Sequence, residues 1–114
     1  MRRERQFLED IMSAADAIAS FIESETSESF EERQMVRSAV VHELTVIGEA
    51  AARISPELRL RHPSVPWQDI KGLRNIVVHN YFGIDWTEVW GAAKRDVPVL
   101  RGQVAAILQA EFPT

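Results

Sequence analysis

Residues 36–54 read VRSAVVHELTVIGEAAARI. Apolar side chains recur in this stretch at steps of three and four, which is the spacing of one face of an α-helix. The positions are Val36, Val40, Leu44, Ile47, Ala51 and Ile54. The pattern predicts a long helix over residues 30–54 with a buried apolar face. Gly48 lies inside it although Gly costs about 1 kcal/mol relative to Ala, so we expect another helix to pass close to Gly48.

The segments before this helix follow the same period. A first helix is predicted over residues 4–24. Its apolar stripe comprises Phe7, Ile11, Ala14, Ile18, Phe21 and Ile22. The acidic, serine-rich stretch 23–32 is predicted to form a loop and then the polar first turn of the second helix, where acids favour the helix dipole.

Two further helices are predicted after a proline-rich break. Three prolines lie between residues 56 and 66, and they separate the second helix from a third over residues 67–78. A fourth helix begins at Trp86, where Asp85 and Glu88 have the spacing of a capping box. Pro98 is expected to kink this helix near its middle. The sequence therefore predicts an all-α bundle in a single domain, residues 1–114.

Composition excludes several classes of protein. The 114 residues contain no cysteine, which rules out disulfides, a zinc ribbon and thiol catalysis. No apolar run reaches the roughly 18 residues of a membrane span and no secretion signal is evident, so we expect a cytoplasmic protein without membrane contact. His42 and Glu43 begin a zinc-protease pattern, but Val46 stands where the second histidine is required. No metal site or cofactor is predicted.

The net charge of −4 hides a marked asymmetry along the chain. Residues 1–50 hold eleven acidic residues against five arginines, whereas residues 53–74 hold five basic residues against two acidic ones. The basic residues of this second stretch are Arg53, Arg59, Arg61, Lys71 and Arg74. Since guanidinium groups suit bidentate phosphate contacts, the local charge points to a phosphate-bearing partner.

Residues 71–82 carry the most informative side chains, in the order KGLRNIVVHNYF. On a helical wheel Arg74 lies among apolar side chains, with Trp67 and Ile70 within about 40° of it. An arginine there is either paired, with Glu43, Glu49 or Asp85 as candidates, or faces a cleft. His79 lies about 140° away. A straight helix would not aim both at one phosphate, so either the helix ends before His79 or two copies of it meet in a symmetric dimer.

At this point the chain resembles a known family. Arg74, His79 and Tyr81 match the R-x4-H-x-Y signature of HEPN-domain proteins of the HepT type, the toxins of minimal-nucleotidyltransferase/HEPN toxin–antitoxin pairs. The resemblance extends over nearly the whole chain. Further matching segments are 47–51 in the second helix, 66–67, 72–75, 79–82, and Asp85 with Trp90.

The resemblance implies a four- to five-helix up-down bundle that forms a homodimer, with both protomers lining one cleft. It implies a metal-independent endoribonuclease in which His79 is the general acid/base and Arg74 binds the scissile phosphate. Asn75 would orient His79 or the phosphate. It also implies that a cognate nucleotidyltransferase antitoxin transfers AMP to Tyr81.

The residue types fit this chemistry on their own account. RNA supplies its own nucleophile, the 2′-hydroxyl, so the protein needs a proton carrier and a cation. Further phosphate contacts are expected from the remaining basic residues of the 53–74 stretch. The positions are Arg53, Arg59, Arg61 and Lys71. Two alternatives remain: a HEPN module that binds RNA, nucleotide or its partner without cutting, and a purely structural helical dimer.

Overall fold

The computed structural model of the protein describes residues 3–76 and 83–113. All the regular secondary structure in these two ranges is helical, which confirms the predicted all-α class. The α-helices are α1 (Glu4–Ile22), α2 (Ser27–Glu32), α3 (Gln34–Ala52), α4 (Pro56–Arg61), α5 (Trp67–Gly72), α6 (Trp86–Gly91) and α7 (Val97–Glu111). A 3₁₀ turn at Leu73–Asn75 follows α5, and a π-helical turn at Ala92–Asp96 joins α6 to α7.

The core forms where α1 lies along α3. Helix α7 also packs against α1, while α5 and the 3₁₀ turn pack against α3. The largest side chains with almost no exposed surface are Phe30, Leu8, Ile11, Ile18, Leu44 and Ile47. Within the described ranges, none of the helices is long and apolar enough to cross a bilayer.

The first helix ends close to its predicted bound, but its buried face is rotated slightly. Ile11, Ala14, Ile18 and Ile22 are buried as the spacing predicted, whereas Phe21 is 38% exposed. Leu8 and Ala15 are buried in its place. The buried face of α1 therefore includes Leu8 and Ala15 and leaves Phe21 outside it.

The predicted second helix over residues 30–54 is wrong in one respect, because the chain divides it into α2 and α3. Arg33 adopts an extended conformation between them, with φ −102° and ψ 90°. Helix α2 has its own start, since Thr26 and Ser29 each accept a hydrogen bond from the backbone N–H of the other. The Arg33 guanidinium also pairs with Glu25, at 2.5 Å between Nη1 and Oε2. These local contacts stabilise α2 as a separate element.

The break at Arg33 directs Phe30 toward α6. The Phe30 ring is fully buried, and its centroid lies 6.3 Å from that of Trp86 and 5.2 Å from that of Trp90. From α3, the Arg37 guanidinium lies over the Trp86 ring at 4.7 Å. Helix α6 is therefore held against α2 and α3 by aromatic and cation–π contacts.

A π-helical turn interrupts the regular α-helical hydrogen bonding of the predicted fourth helix just before Pro98. In the π turn the Val97 N–H donates to the carbonyl of Ala92, five residues earlier. Pro98 then falls in the first turn of α7. Gly91, Ala92, Asp96 and Val97 all keep helical dihedral angles, so the π turn joins α6 to α7 without a non-helical residue among these four, and a kink at Pro98 stays a prediction.

Candidate active site

Gly48 of α3 lies directly against the backbone of Arg74. A Cβ atom built on Gly48 would be 2.5 Å from the Arg74 backbone nitrogen and 3.1 Å from the Arg74 Cβ. It would also be 3.1 Å from the carbonyl oxygen of Ile70. The expectation that another helix passes close to Gly48 is confirmed, and the closest residue is the arginine that the sequence singled out.

The predicted third helix is observed only in its first part. Regular α-helix ends at Gly72, and Leu73, Arg74 and Asn75 form a 3₁₀ turn. Gly72 has low helix propensity, so it favours the end of α5 at this point. The rest of the predicted helix, His79 and Tyr81 fall outside the described residues, and their roles stay predictions.

Arg74 is partly buried and has no carboxylate partner within the described ranges. The three candidate partners, Glu43, Glu49 and Asp85, form no ion pair with it there. Asp85 instead accepts hydrogen bonds from the backbone N–H groups of Thr87 and Glu88. The positive charge of Arg74 is therefore available to an anionic ligand. Asn75, its neighbour, is exposed.

One of the four other predicted phosphate ligands is engaged inside the protein. Arg61 donates from Nε and Nη2 to the two Glu111 oxygens, at 3.1 and 2.6 Å, and His62 contacts the same carboxylate. Hydrogen bonds from Arg61 and His62 lower the pKa of Glu111 to about 2. Arg53 is exposed, whereas Arg59 and Lys71 are partly exposed. A contact with RNA stays a prediction for all four residues.

A cleft of about 540 Å³ adjoins the motif on the side of α6. Leu73 and Ile76 line it before residues 77–82, and Gly83 and Ile84 line it after them. We call it the α3–α6 cleft. Its other lining residues are Leu44, Asp85, Glu88, Val89, Gly91, Ala92, Arg95 and Asp96.

The start of α6 is capped differently from the sequence prediction. Asp85 Oδ1 accepts from Thr87 N at 3.0 Å and from Glu88 N at 3.3 Å, as expected of a cap. A capping box would also require the Glu88 carboxylate to accept a hydrogen bond from the Asp85 backbone N–H, and this bond is not formed at the start of α6. Glu88 lines the α3–α6 cleft instead.

No group of three or more histidine, aspartate or glutamate side chains is arranged for a metal ion among residues 3–76 and 83–113. His42, the start of the incomplete zinc pattern, is exposed on α3. The described part of the site therefore offers a guanidinium, an amide and carboxylates as its polar groups.

Comparison with known proteins identifies the family. The family model described as "Ribonuclease HepT-like" matches residues 11–107. The chain belongs to this ribonuclease HepT-like family. The resemblance seen in the sequence is thereby confirmed.

Relatives in this family align with the chain over most of both sequences. A Methanocaldococcus jannaschii protein named "Putative RNase MJ1380" is 38% identical, with 93% of this chain and 97% of the relative covered. A Caldanaerobacter subterraneus protein named "Putative RNase TTE0752" is 32% identical, with 97% and 99% covered. A Thermococcus cleftensis protein named "Probable ribonuclease HepT" is 33% identical, with 90% and 93% covered. No solved structure matches.

Sequence reasoning missed two cleft residues, Glu88 and Arg95. Glu88 was assigned to the cap of α6, and Arg95 carried no signal in a pattern that assumed a regular helix. The π turn at Ala92–Asp96 alters the helical phase around Arg95. A signal did exist in Pro98, because a proline inside a helical pattern often accompanies an irregular turn before it.

Proposed function

We propose that the chain is a metal-independent endoribonuclease, the toxin of a minimal-nucleotidyltransferase/HEPN pair. Family membership and the printed names of the relatives support a ribonuclease. The observation that carries the proposal is the placement of Arg74. Its backbone is fixed against Gly48, and its side chain has no carboxylate partner in the described ranges.

The proposed reaction is an internal transesterification of RNA. The 2′-hydroxyl oxygen attacks the neighbouring phosphorus, the new P–O2′ bond forms, and the P–O5′ bond breaks. The products are a 2′,3′-cyclic phosphate and a 5′-hydroxyl. Two proton transfers are needed, one from the 2′-hydroxyl and one to the 5′-oxygen, and His79 is the residue proposed to carry a proton. No outside nucleophile is required.

Arg74 stabilises the extra negative charge that develops on the phosphorus oxygens during this attack. A guanidinium presents two parallel N–H groups to a phosphate, and a fixed cation is most effective where charge develops. Asn75, adjacent in sequence and exposed, orients His79 or the phosphate in the proposed scheme.

The experiment is incubation of a labelled RNA with the protein in excess EDTA. Cleavage is expected for the wild type and loss of cleavage for His79→Ala. Cleavage that requires a divalent metal, or that survives in His79→Ala, would overturn the assignment. RNA binding without products would favour the alternative of a HEPN binding module, in which Arg74 and His79 contribute to affinity alone.

The proposed neutralisation is AMP transfer to Tyr81. The tyrosine oxygen attacks the α-phosphorus of ATP, an O–P bond forms, and pyrophosphate leaves. The product places bulk and negative charge two residues from His79 in sequence, where they would oppose a substrate phosphate. With a cognate nucleotidyltransferase and ATP, the wild type should gain the mass of AMP and stop cutting RNA. Tyr81→Phe should escape both effects; modification of Tyr81→Phe would contradict the assignment.

A homodimer with a composite cleft completes the proposal. Two copies of the motif would bring Arg74 of one protomer and His79 of the other to one phosphate. Because regular α-helix ends at Gly72, a site within one protomer is the competing arrangement.

A further inference from the structure

Three charged side chains of the α3–α6 cleft have no partner within the described ranges. Glu88, Arg95 and Asp96 line the cleft, are exposed, and take part in no ion pair or hydrogen bond there. Asp96 also lines the neighbouring groove between α5 and α7. The fourth charged residue, Asp85, is occupied as the cap of α6.

The Arg95 guanidinium lies beside Gly91. A Cβ atom on Gly91 would be 2.7 Å from Arg95 Nη2 and 3.4 Å from Arg95 Cζ. The guanidinium therefore folds back along the helix and lies in the space that a side chain at position 91 would take. Glu88 is three residues before Gly91, so the donor group and the carboxylate occupy adjacent turns of one helix wall.

The remaining wall of the cleft is apolar. Leu44 of α3, Leu73, Ile76, Ile84 and Val89 line it. A concave surface that combines apolar side chains with a few polar groups is typical of a small-molecule or base-binding site. Because Ile76 and Gly83 both line the cleft, the site adjoins the two ends of the stretch 77–82 that carries His79.

We propose that the α3–α6 cleft is the subsite for a guanine base of the RNA, next to the cleaved phosphate. This inference rests on the proposed ribonuclease function and names the feature of the substrate that the site reads. Arg95 donates to O6 and N7, and Glu88 accepts from N1–H and the N2 amino group. Guanine presents two acceptors, N7 and O6, which suit a guanidinium, and next to them two donors, N1–H and the N2 amino group, which suit a carboxylate.

Charge argues for a base rather than a phosphate in this cleft. Arg95 is accompanied by Asp85, Glu88 and Asp96, so the carboxylates outnumber the cation. A phosphate would meet net repulsion, whereas a neutral base with exposed N–H donors benefits from the carboxylates. Apolar side chains opposite the polar wall can pack on the face of the ring.

The first test measures binding without any cleavage. Wild-type protein is titrated with 3′-GMP, 3′-IMP, 3′-AMP, 3′-CMP and 3′-UMP, with amide chemical shifts as the readout. We expect 3′-GMP to bind more tightly than the others and to shift the amides of Glu88, Gly91 and Arg95. Loss of the guanine preference by about 5- to 150-fold is expected in Arg95→Ala, the range of one bidentate base contact. In Glu88→Gln the advantage of 3′-GMP over 3′-IMP, which lacks the N2 amino group, should shrink.

Lys94→Ala is the matched control. Lys94 belongs to the same π turn and carries the same charge, but its Nζ lies 6.0 Å from the centroid of the Trp90 ring and it lines a different groove, against α1. Lys94→Ala should keep the guanine preference. An equal loss of guanine preference in Lys94→Ala and Arg95→Ala would show that the preference depends only on positive charge, and it would overturn the proposed subsite.

Gly91→Ala tests the geometry specifically. The atom closest to the new methyl group is the end of a flexible side chain, so the helix can accommodate Ala while Arg95 is displaced. Gly91→Ala should lower guanine preference, and it should add nothing further in an Arg95→Ala background. Additive losses in the double variant would contradict the arrangement.

A cleavage assay separates this inference from the proposed function. RNAs of one sequence, each with a single guanine at a different position, are incubated with the wild type. Cutting at a fixed distance from the guanine supports the subsite. Cutting without regard to guanine, or equal binding of the five nucleotides, overturns the subsite and leaves the ribonuclease intact. Absence of cutting contradicts the ribonuclease, and nucleotide binding then still decides what the cleft holds.

Discussion

The Cα of Gly48 and the backbone nitrogen of Arg74 approach so closely that a Cβ on residue 48 would come within 2.5 Å of that nitrogen. The contact joins the middle of α3 to the 3₁₀ turn that begins the R-x4-H motif. Because two of the three nearest atoms, Arg74 N and Ile70 O, belong to the backbone, the position of Arg74 depends on the absence of a side chain at Gly48. Gly48, a buried residue of α3, therefore determines where Arg74 of the candidate site lies.

Gly48→Ala should therefore impair both folding and cleavage. The added methyl group forces the 3₁₀ turn away from α3, at a cost of about 1–3 kcal/mol in the free energy of unfolding, which is typical of overpacking. Urea denaturation measures the stability, and RNA cleavage under conditions where the variant is folded measures the displacement of Arg74.

Gly102→Ala is the control for this substitution. Gly102 is exposed in α7, and a Cβ there would meet nothing within 4 Å. Ala should raise stability by about 0.5–1 kcal/mol through helix propensity and leave cleavage unchanged. If Gly48→Ala were as stable and active as Gly102→Ala, the approach of α3 to Arg74 would not matter.

Mixing two inactive variants tests the composite cleft. If Arg74 of one protomer acts with His79 of its partner, co-expressed Arg74→Ala and His79→Ala chains should regain about a quarter of wild-type cleavage, because half of the symmetric dimers are mixed and each has one intact site. Each variant alone should be inactive. No recovery in dimers shown to be mixed would place both residues within one protomer.

The Glu111 ion pair predicts a pH-dependent stability. Since the pKa of Glu111 is lowered from 4.5 to about 2, its contribution is present above about pH 5 and is lost as the pH falls toward 2. Glu111→Gln should lower the free energy of unfolding by about 0.5–1 kcal/mol at pH 7, the range of a partly exposed pair. The difference from wild type should vanish near pH 2.

Chemical denaturation at a series of pH values measures this difference. Glu31→Gln is the matched control, because Glu31 is exposed on α2 and takes part in none of the ion pairs of the described residues. A gap between wild type and Glu111→Gln that stayed constant from pH 7 to pH 2 would contradict the role of the carboxylate.

The sequence predicted the close approach at Gly48 but not its partner. Residue type alone indicates that a glycine inside an apolar helical face permits contact, whereas the identity of the neighbour depends on how α5 crosses α3. Similarly, the helical wheel placed Arg74 among apolar positions. It did not distinguish whether Glu43, Glu49 or Asp85 would form an ion pair with it. Ion pairing depends on side-chain reach in three dimensions.

The irregular turns account for what the sequence prediction missed. Periodicity assumes 3.6 residues per turn, so it merged α2 with α3 across Arg33 and continued the fourth helix through Ala92–Asp96. Thr26 with Ser29, and Pro98, were the local signals of these interruptions. Because the π turn was not anticipated, neither the position of Arg95 nor the α3–α6 cleft could be derived from spacing.

The most direct test of the account is the single-turnover rate of RNA cleavage by Arg74→Ala, Arg74→Lys and Arg101→Ala in EDTA. Arg101, paired with Asp16 at 2.6 Å between Nε and Oδ1, is the matched arginine control. Arg74→Ala should lose about 10²- to 10³-fold in rate with a thermal midpoint close to wild type, and Arg74→Lys should recover only part of the loss because an ammonium cannot form the bidentate contact. Arg101→Ala should cut at the wild-type rate. Undiminished cleavage by Arg74→Ala would contradict the central claim that Arg74 is the phosphate-binding cation.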